Sequence, residues 1–487
     1  MTAPTRADVR AGICAFRNRR TASCPERRCG RCDATPSGPD EVIPQWSGDV
    51  CDETGGSPPT AVSRRLPARL PEHGRTCRSA GSSRTAEEDR TESSYAKVLA
   101  IGEFRGLWLG GLLSRAGSQL ARVALAVLTY ERSGSAAVTT LVYAMTFVPA
   151  LIGGPALGWL ADRYPRRGVV IACDAIRTVL IGFIALPGLP LPALCALVFA
   201  SQLLDSPSRA ARVSLTPEVV PRELYQTGVA VHQLSDQVVT LLGFAGGGIV
   251  VALVGAETAI LVNAATFAAA ASLTLATVRR RPAAAGKQPV SLLGGLRLVA
   301  GHRALRSLLG LAMLSGFHVI PEAIAVPYAA SLGLGTTQAG LLMAALSAGN
   351  VIGVFVLSRF LTESRRMALM APMAVLAGVP LVASAADPGY VPLLLLWTVC
   401  GVLTGYHVAA NAEYVRIAPP ESRGQAVGLA SSGMVAAQGL GILLGGLLVE
   451  TAGPQYGLAI AGAAGLIAGV PVLLAWNRAV RASPPST

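Results

Sequence analysis

The sequence predicts an all-α membrane protein: twelve transmembrane helices in two six-helix pseudo-repeats, preceded by a disordered N-terminal tail. Three observations carry that expectation. Residues 133–161, 178–204, 323–358, 388–412, 424–449 and 451–477 contain no Asp, Glu, Lys or Arg, and each run is long enough for at least one span of about 20 apolar residues. Basic residues alternate between crowded loops and nearly empty ones. The two halves of the apolar region repeat local patterns at a spacing of roughly 200 residues. Charged residues make up only 14% of the 487-residue chain, against about 25% in soluble domains, so lipid solvates most of it. The runs lack the period-two alternation of transmembrane strands. Helices remain as the way to satisfy the backbone in lipid.

Residues 1–97 are rich in Arg, Pro and Cys, with 16 basic and 13 acidic residues, and too poor in apolar side chains to offset chain entropy. Disorder is expected there. The apolar stretch Ala11 to Phe16 is too short for a secretory signal, and an odd total of nine cysteines gives no disulfide framework. No Met occurs between Met1 and Met145, which leaves translation from a start near Val98 as an alternative. The spans are expected at 104–130, 136–160, 168–186, 191–217, 226–252, 256–277, 304–330, 337–361, 366–385, 390–417, 424–449 and 455–477. Residues 98–277 then form the first six-helix half, 278–303 a cytoplasmic linker, 304–478 the second half and 479–487 a short cytoplasmic tail.

Loop charge sets the orientation, because Lys and Arg in short loops stay cytoplasmic. The loops after even-numbered spans and the C-terminal end hold twenty basic residues, whereas the loops after odd-numbered spans hold Arg132 alone. Both termini are therefore expected in the cytoplasm, with the chain in a bacterial-type inner membrane. A net charge of +13 could suggest nucleic acid, but its placement in loops points to topology, and no nucleic-acid partner is expected.

The repeat sets FRGLWLGGLLSRAG (Phe104 to Gly117) over LRSLLGLAMLSGFH (Leu305 to His318), matches Arg166 and Arg167 with Arg365 and Arg366, and aligns Gly243–Gly248 with Gly441–Gly446. Between the second and third spans, Gly158, Asp162, Arg163, Arg166 and Arg167 follow a pattern that resembles the G-x-x-x-D-R-x-G-R-R loop of the major facilitator superfamily, with Pro165 where the family has Gly. The resemblance covers roughly residues 98–480. It implies the two-half transporter fold and makes this loop a conformational latch. The run Gly243-Phe244-Ala245-Gly246-Gly247-Gly248 resembles the family's antiporter motif with Phe in place of its Pro; Gly243, Gly247 and Gly248 are expected to pack helices closely. Asp174-Ala-Ile-Arg177 and Pro207-Ser-Arg209 resemble the branch that contains macrolide-efflux proteins and siderophore exporters, which points toward export.

Ionisable groups at membrane depth are functional candidates by default. Arg115, Gln119 and Arg122 share one helix face, and Asp205, Arg209 and Arg212 share another. His232 stands one turn from Asp236, and His318 one turn from Glu322. Asp205, Asp236 and Glu322 are candidate proton carriers, with Arg115 or Arg122 as counter-charge, or else members of structural ion pairs. Asp174 with Arg177 and Glu413 with Arg416 read as structural pairs. Gln119, Tyr143, Phe147, His318, Asn350, Tyr406 and Asn411 are candidates for the substrate cavity.

No phosphate-binding loop or catalytic cluster occurs, so neither an ATP-driven pump nor an enzyme is expected. No cofactor or metal is expected either. The sequence reads as a secondary active exporter of a hydrophobic or amphipathic small molecule (a drug, antibiotic or siderophore), monomeric, with protons, substrate and membrane lipid as partners. An uptake carrier for a metabolite and a non-transporting sensor on the same fold are the alternatives.

Overall fold

A computed structural model of the chain describes residues 95–157, 160–282, 292–419 and 422–482. The tail up to residue 94, residues 158–159, linker residues 283–291, residues 420–421 and residues 483–487 lie outside the described residues, and most of the expected disordered tail falls there. Among the described residues there is no β-strand. The first half contains α1 (Gly102–Ser133), α2 (Ala136–Ala144), α3 (Val148–Leu157), α4 (Leu160–Arg163), α5 (Arg166–Ile184), α6 (Leu191–Leu203), α7 (Asp205–Val219), α8 (Tyr225–Val254) and α9 (Ala256–Thr277). The second contains α10 (Leu292–Gly301), α11 (Arg303–Met313), α12 (Ser315–His318), α13 (Ile320–Ser331), α14 (Thr336–Phe360), α15 (Glu363–Leu376), α16 (Gly378–Ala383), α17 (Tyr390–Thr404), α18 (Tyr406–Ile417), α19 (Arg423–Ala452) and α20 (Pro454–Ala482).

Five expected spans are broken into shorter helices, and proline accounts for four of the breaks. A proline has no N–H for the carbonyl four residues earlier. Pro207 and Pro380 leave Leu203 and Leu376 unbonded in this way, and α6 and α15 end at those two residues. Pro149 and Pro321 act alike on Met145 and Phe317, beside the ends of α2 and α12. Of the two other breaks, one at Leu314 separates α11 from α12, and one at Gly405 lies where a Cβ would stand 2.8 Å from the backbone of Gly353 in α14.

Nine helical segments among the described residues are long and apolar enough to cross a membrane. The expected spans absent from that set are 104–130, 168–186 and 191–217. These carry Arg115 and Arg122, Asp174 and Arg177, and Asp205, Arg209 and Arg212. Those charged side chains set the three spans apart, and their partners are described below.

The two glycine runs make equivalent contacts. In α8, a Cβ at Gly243 would lie 2.7 Å from Gln119, and one at Gly247 would lie 3.1 Å from Val123, both on α1. In α19, Gly441 and Gly445 meet Gly316 of α12 and Ile320 of α13 in the same way. The last glycine of each run faces the other half, Gly248 against Gly340 of α14 and Gly446 against Thr140 of α2. Gly255 and Gly453, which end α8 and α19, both have φ +84, a turn that a side chain would strain. Gly248→Leu would therefore push two helices apart, while Gly246→Leu, with nothing within 4 Å of its Cβ, would project into open space. Overpacking costs about 1–3 kcal/mol, which converts to roughly 30-fold at the midpoint. Transport normalised to membrane abundance should fall by that factor in Gly248→Leu and stay unchanged in Gly246→Leu.

Core distribution tells which end of the bundle is closed. One continuous apolar cluster joins the halves at the end bearing the arginine-poor loops, including Val123, Tyr143 and Phe244 from the first half and Ile324, Leu342 and Ile442 from the second. At the arginine-rich end each half has its own core. Leu107, Val170 and Leu215, with Phe104 and Val220 nearby, belong to the first half, and Leu305, Leu311, Tyr406 and Trp476 belong to the second. The halves are thus packed together at one end and separately packed at the other.

Candidate functional site

A cavity of about 420 Å3 lies between α1, α7 and α8. α1 contributes Arg115, Gln119 and Arg122, α7 contributes Asp205, Arg209 and Arg212, and α8 contributes His232 and Asp236. Each helix presents these groups at spacings of three, four or seven residues, which place them on one face. Here the polar sides of α1 and of the α6–α7 span meet α8.

The charges are paired across helices. Arg115 Nη2 donates to Asp236 at 2.9 Å, joining α1 to α8 next to the bond from Trp108 Nε1 to Ser235 at 3.1 Å. Asp205 accepts from Arg177 at 2.9 Å and from Arg209 at 3.0 Å. Asp174, wholly buried, accepts from Arg212 and from Ser208 Oγ. This differs from the local pairing of Asp174 with Arg177 expected from the sequence. Arg177 instead leaves its own helix for Asp205 and stacks 4.0 Å over the Phe267 ring. Because α5 and α7 pack side by side, cross-helix partners reach each carboxylate.

The deep end of the site joins the two halves. Glu322 of α13 lies 3.7 Å from Arg122 and accepts a short hydrogen bond from the Tyr143 hydroxyl of α2. The Arg122 guanidinium lies 4.9 Å above the Phe147 ring. Glu450 of α19 accepts from Ser135 Oγ and from the Ala137 N–H, a second bridge at the same end.

Of the residues singled out in the sequence, Arg115, Gln119, Arg122, Asp205, Arg209, Arg212, His232 and Asp236 line the cavity, while Glu322, Tyr143 and Phe147 sit at its closed end. The others do not line it. His318 and Tyr406 are buried in the second half, edge to face, with the Tyr406 hydroxyl donating to the Leu311 carbonyl at 2.8 Å. His318 does not bond Glu322. Asn350 donates to Thr404 at 3.2 Å, tying α14 to α17. Asn411 is exposed on α18. Glu413 and Arg416 form the expected local pair, with two bonds of 2.7 Å. Sequence reasoning missed Gln202, Ser208 and Gln233, which line the cavity, and it missed Arg177 as the partner of Asp205. Uncharged polar residues carry little signal in an apolar helix, and Asp174 three residues away masked Arg177.

In the loop that resembles a latch, Gly158 and the Asp162 side chain lie outside the described set, and Arg163 is exposed at the end of α4. Arg166 bonds Glu218 and the Ser214 carbonyl of α7, and Arg167 bonds the Leu275 carbonyl of α9 at 2.6 Å. The pair clamps three helices of the first half. Nearby, Glu103 precedes the first expected span. Burial works against its charge, but the Arg281 guanidinium and the Arg279 N–H outweigh that and hold its carboxyl below the usual range. That clamp ties the start of the linker to α1. Among the described residues no group of three or more His, Cys, Asp or Glu could hold a metal ion.

Comparison with known proteins gives a consistent family. The profile described as Major Facilitator Superfamily matches residues 107–320 and 307–487. The multidrug efflux pump Tap of Mycolicibacterium fortuitum is 26% identical over 70% of this chain and 88% of its own length. Macrolide efflux protein A of Streptococcus pyogenes is 23% identical, covering 74% and 92%. The enterobactin exporter EntS of Escherichia coli O139:H28 is 28% identical, covering 78% and 94%. Among solved structures, a bacterial homolog of the human lysosomal transporter Spinster, inward-facing and unoccupied, superposes with a TM-score of 0.64 at 16% identity, covering 79% of this chain and 98% of that one.

Proposed function

The chain belongs to the major facilitator superfamily, and on that premise we propose that it is a secondary active exporter of a hydrophobic or amphipathic small molecule, working by proton antiport with alternating access. It is a multi-pass membrane transporter and not an enzyme, as its relatives are. Export is the direction named for Tap, macrolide efflux protein A and EntS. In this reading the chain is a monomer of twelve spans in two halves, 98–277 and 304–478, in the inner membrane with both termini cytoplasmic.

The observation that supports proton coupling is the Arg122–Glu322–Tyr143 bridge, which ties the halves together at the closed end of an ionic cavity. When that end opens, Glu322 parts from Arg122 and faces the outside, where it takes a proton. Reclosing brings Glu322 back beside Arg122 and the Tyr143 hydroxyl, and the proton leaves through the cavity to the cytoplasm. Substrate entering from the cytoplasmic side then occupies the space beside Arg115, Gln119 and Asp236. Each cycle moves a proton inward and a substrate molecule outward.

Cells expressing the full chain should accumulate less of a macrolide or a lipophilic dye than control cells, and a protonophore should abolish the difference. Raised accumulation would instead mark an uptake carrier, and unchanged accumulation across a broad panel would count against multidrug export.

A further inference from the structure

A second cavity, of about 530 Å3, lies away from the ionic site, between α11 and α20 at the arginine-rich end of the second half. Its rim holds Arg303 and Arg306 at the start of α11 and Arg478 near the end of α20, and its floor is formed by Pro471, Val472 and Ala475. The two helices touch at Gly310, where a Cβ would lie 3.2 Å from Val472. From Arg303 to Gly310 is seven residues, or about 10 Å along the helix axis. The groove thus runs from a cationic mouth down an apolar wall.

All three arginines are exposed, and no ion pair among the described residues includes any of them. Arg306 makes one bond, to the Ala300 carbonyl at 3.1 Å. α11 starts at this mouth with no side-chain cap, which adds a helix N-terminus favourable to anions. Around the groove Met313, Val470 and Leu474 are 46%, 48% and 49% exposed, as apolar side chains are when they face acyl chains.

We propose that this groove binds an anionic phospholipid, its phosphate held by Arg303, Arg306 and Arg478 and an acyl chain laid along Pro471, Val472 and Ala475. The mouth alone would suit any phosphate. The apolar wall below it selects a phosphate with a hydrocarbon attached, at the depth where a headgroup meets its chains. The site does not depend on the transport reading, since it shares no residue with the ionic cavity.

The test is native mass spectrometry of the full chain in detergent, titrated with phosphatidylglycerol or phosphatidylcholine. Phosphatidylglycerol should bind in preference. The double variant Arg303→Gln/Arg478→Gln should weaken it by about fivefold per arginine, roughly 25-fold in all. The charge-matched variant Arg359→Gln/Arg365→Gln, whose arginines are exposed outside the groove, should bind like the parent. Equal loss in both variants would reduce the effect to overall surface charge and overturn the proposal. So would equal binding of the two lipids, or displacement of phosphatidylglycerol by millimolar inorganic phosphate, which would mark a site for a free anion.

Discussion

Glu322→Gln is expected to cut protonophore-sensitive export by at least about tenfold while the protein still folds and still binds substrate. Glutamine keeps the shape and the acceptor for the Tyr143 hydroxyl, so the packing at the closed end survives. It cannot exchange a proton, and it leaves Arg122 without its carboxylate. The informative comparison is between net export driven by a pH gradient and substrate exchange at equilibrium. Net export should fall and exchange should persist, because exchange requires the halves to rock without moving a proton. Tyr143→Phe removes one hydrogen bond and no charge, so it should cost only about 1 kcal/mol and shift the pH dependence of export without abolishing it. If Glu322→Gln exported normally with an intact pH dependence, proton transfer would have to be reassigned, first to Asp236, which is 44% exposed at the cavity wall and paired with Arg115.

Much of this arrangement was legible in the sequence. Charge-free runs fell on five of the nine apolar helical segments among the described residues, and the glycine runs 243–248 and 441–446 announced a repeat whose contacts are indeed equivalent. The polar face of α1 was visible as Arg115, Gln119 and Arg122 at helical spacing. What could not be read was the identity of partners on other helices. Asp174 and Arg177 are three residues apart, yet each bonds a residue of α7. Helical periodicity fixes the direction of a side chain and says nothing of what lies opposite. Glu322 shows the same limit, since its neighbour by spacing is His318 while its bonded partners are Arg122 and Tyr143, about 200 residues earlier. Tyr406 and Asn350 were plausible cavity residues for the same reason. An apolar helix in a bundle has several protein-facing sides, and these two face α11 and α17.

Loss of either inner carboxylate of the first half is the change expected to do most damage to folding. The Asp174 side chain is 0% exposed and Arg212 only 13%, and removing one member of such a pair leaves an uncompensated charge that costs about 3–5 kcal/mol. Asp174→Ala should therefore leave little monodisperse protein after detergent extraction, and Asp205→Ala should do nearly as much harm by stranding Arg177, which is 2% exposed. Asp236→Ala, in a half-exposed pair, should cost about 1 kcal/mol or less. The double variant Asp174→Leu/Arg212→Met removes both charges together, and a buried pair replaced by apolar groups is often neutral, so extraction and melting temperature should recover. Recovery of fold with export lost would mean that Arg212, which lines the cavity, is retained for transport. Recovery of both would make the Asp174–Arg212 pair a helix lock and leave transport to the Arg115–Asp236 and Arg122–Glu322 pairs.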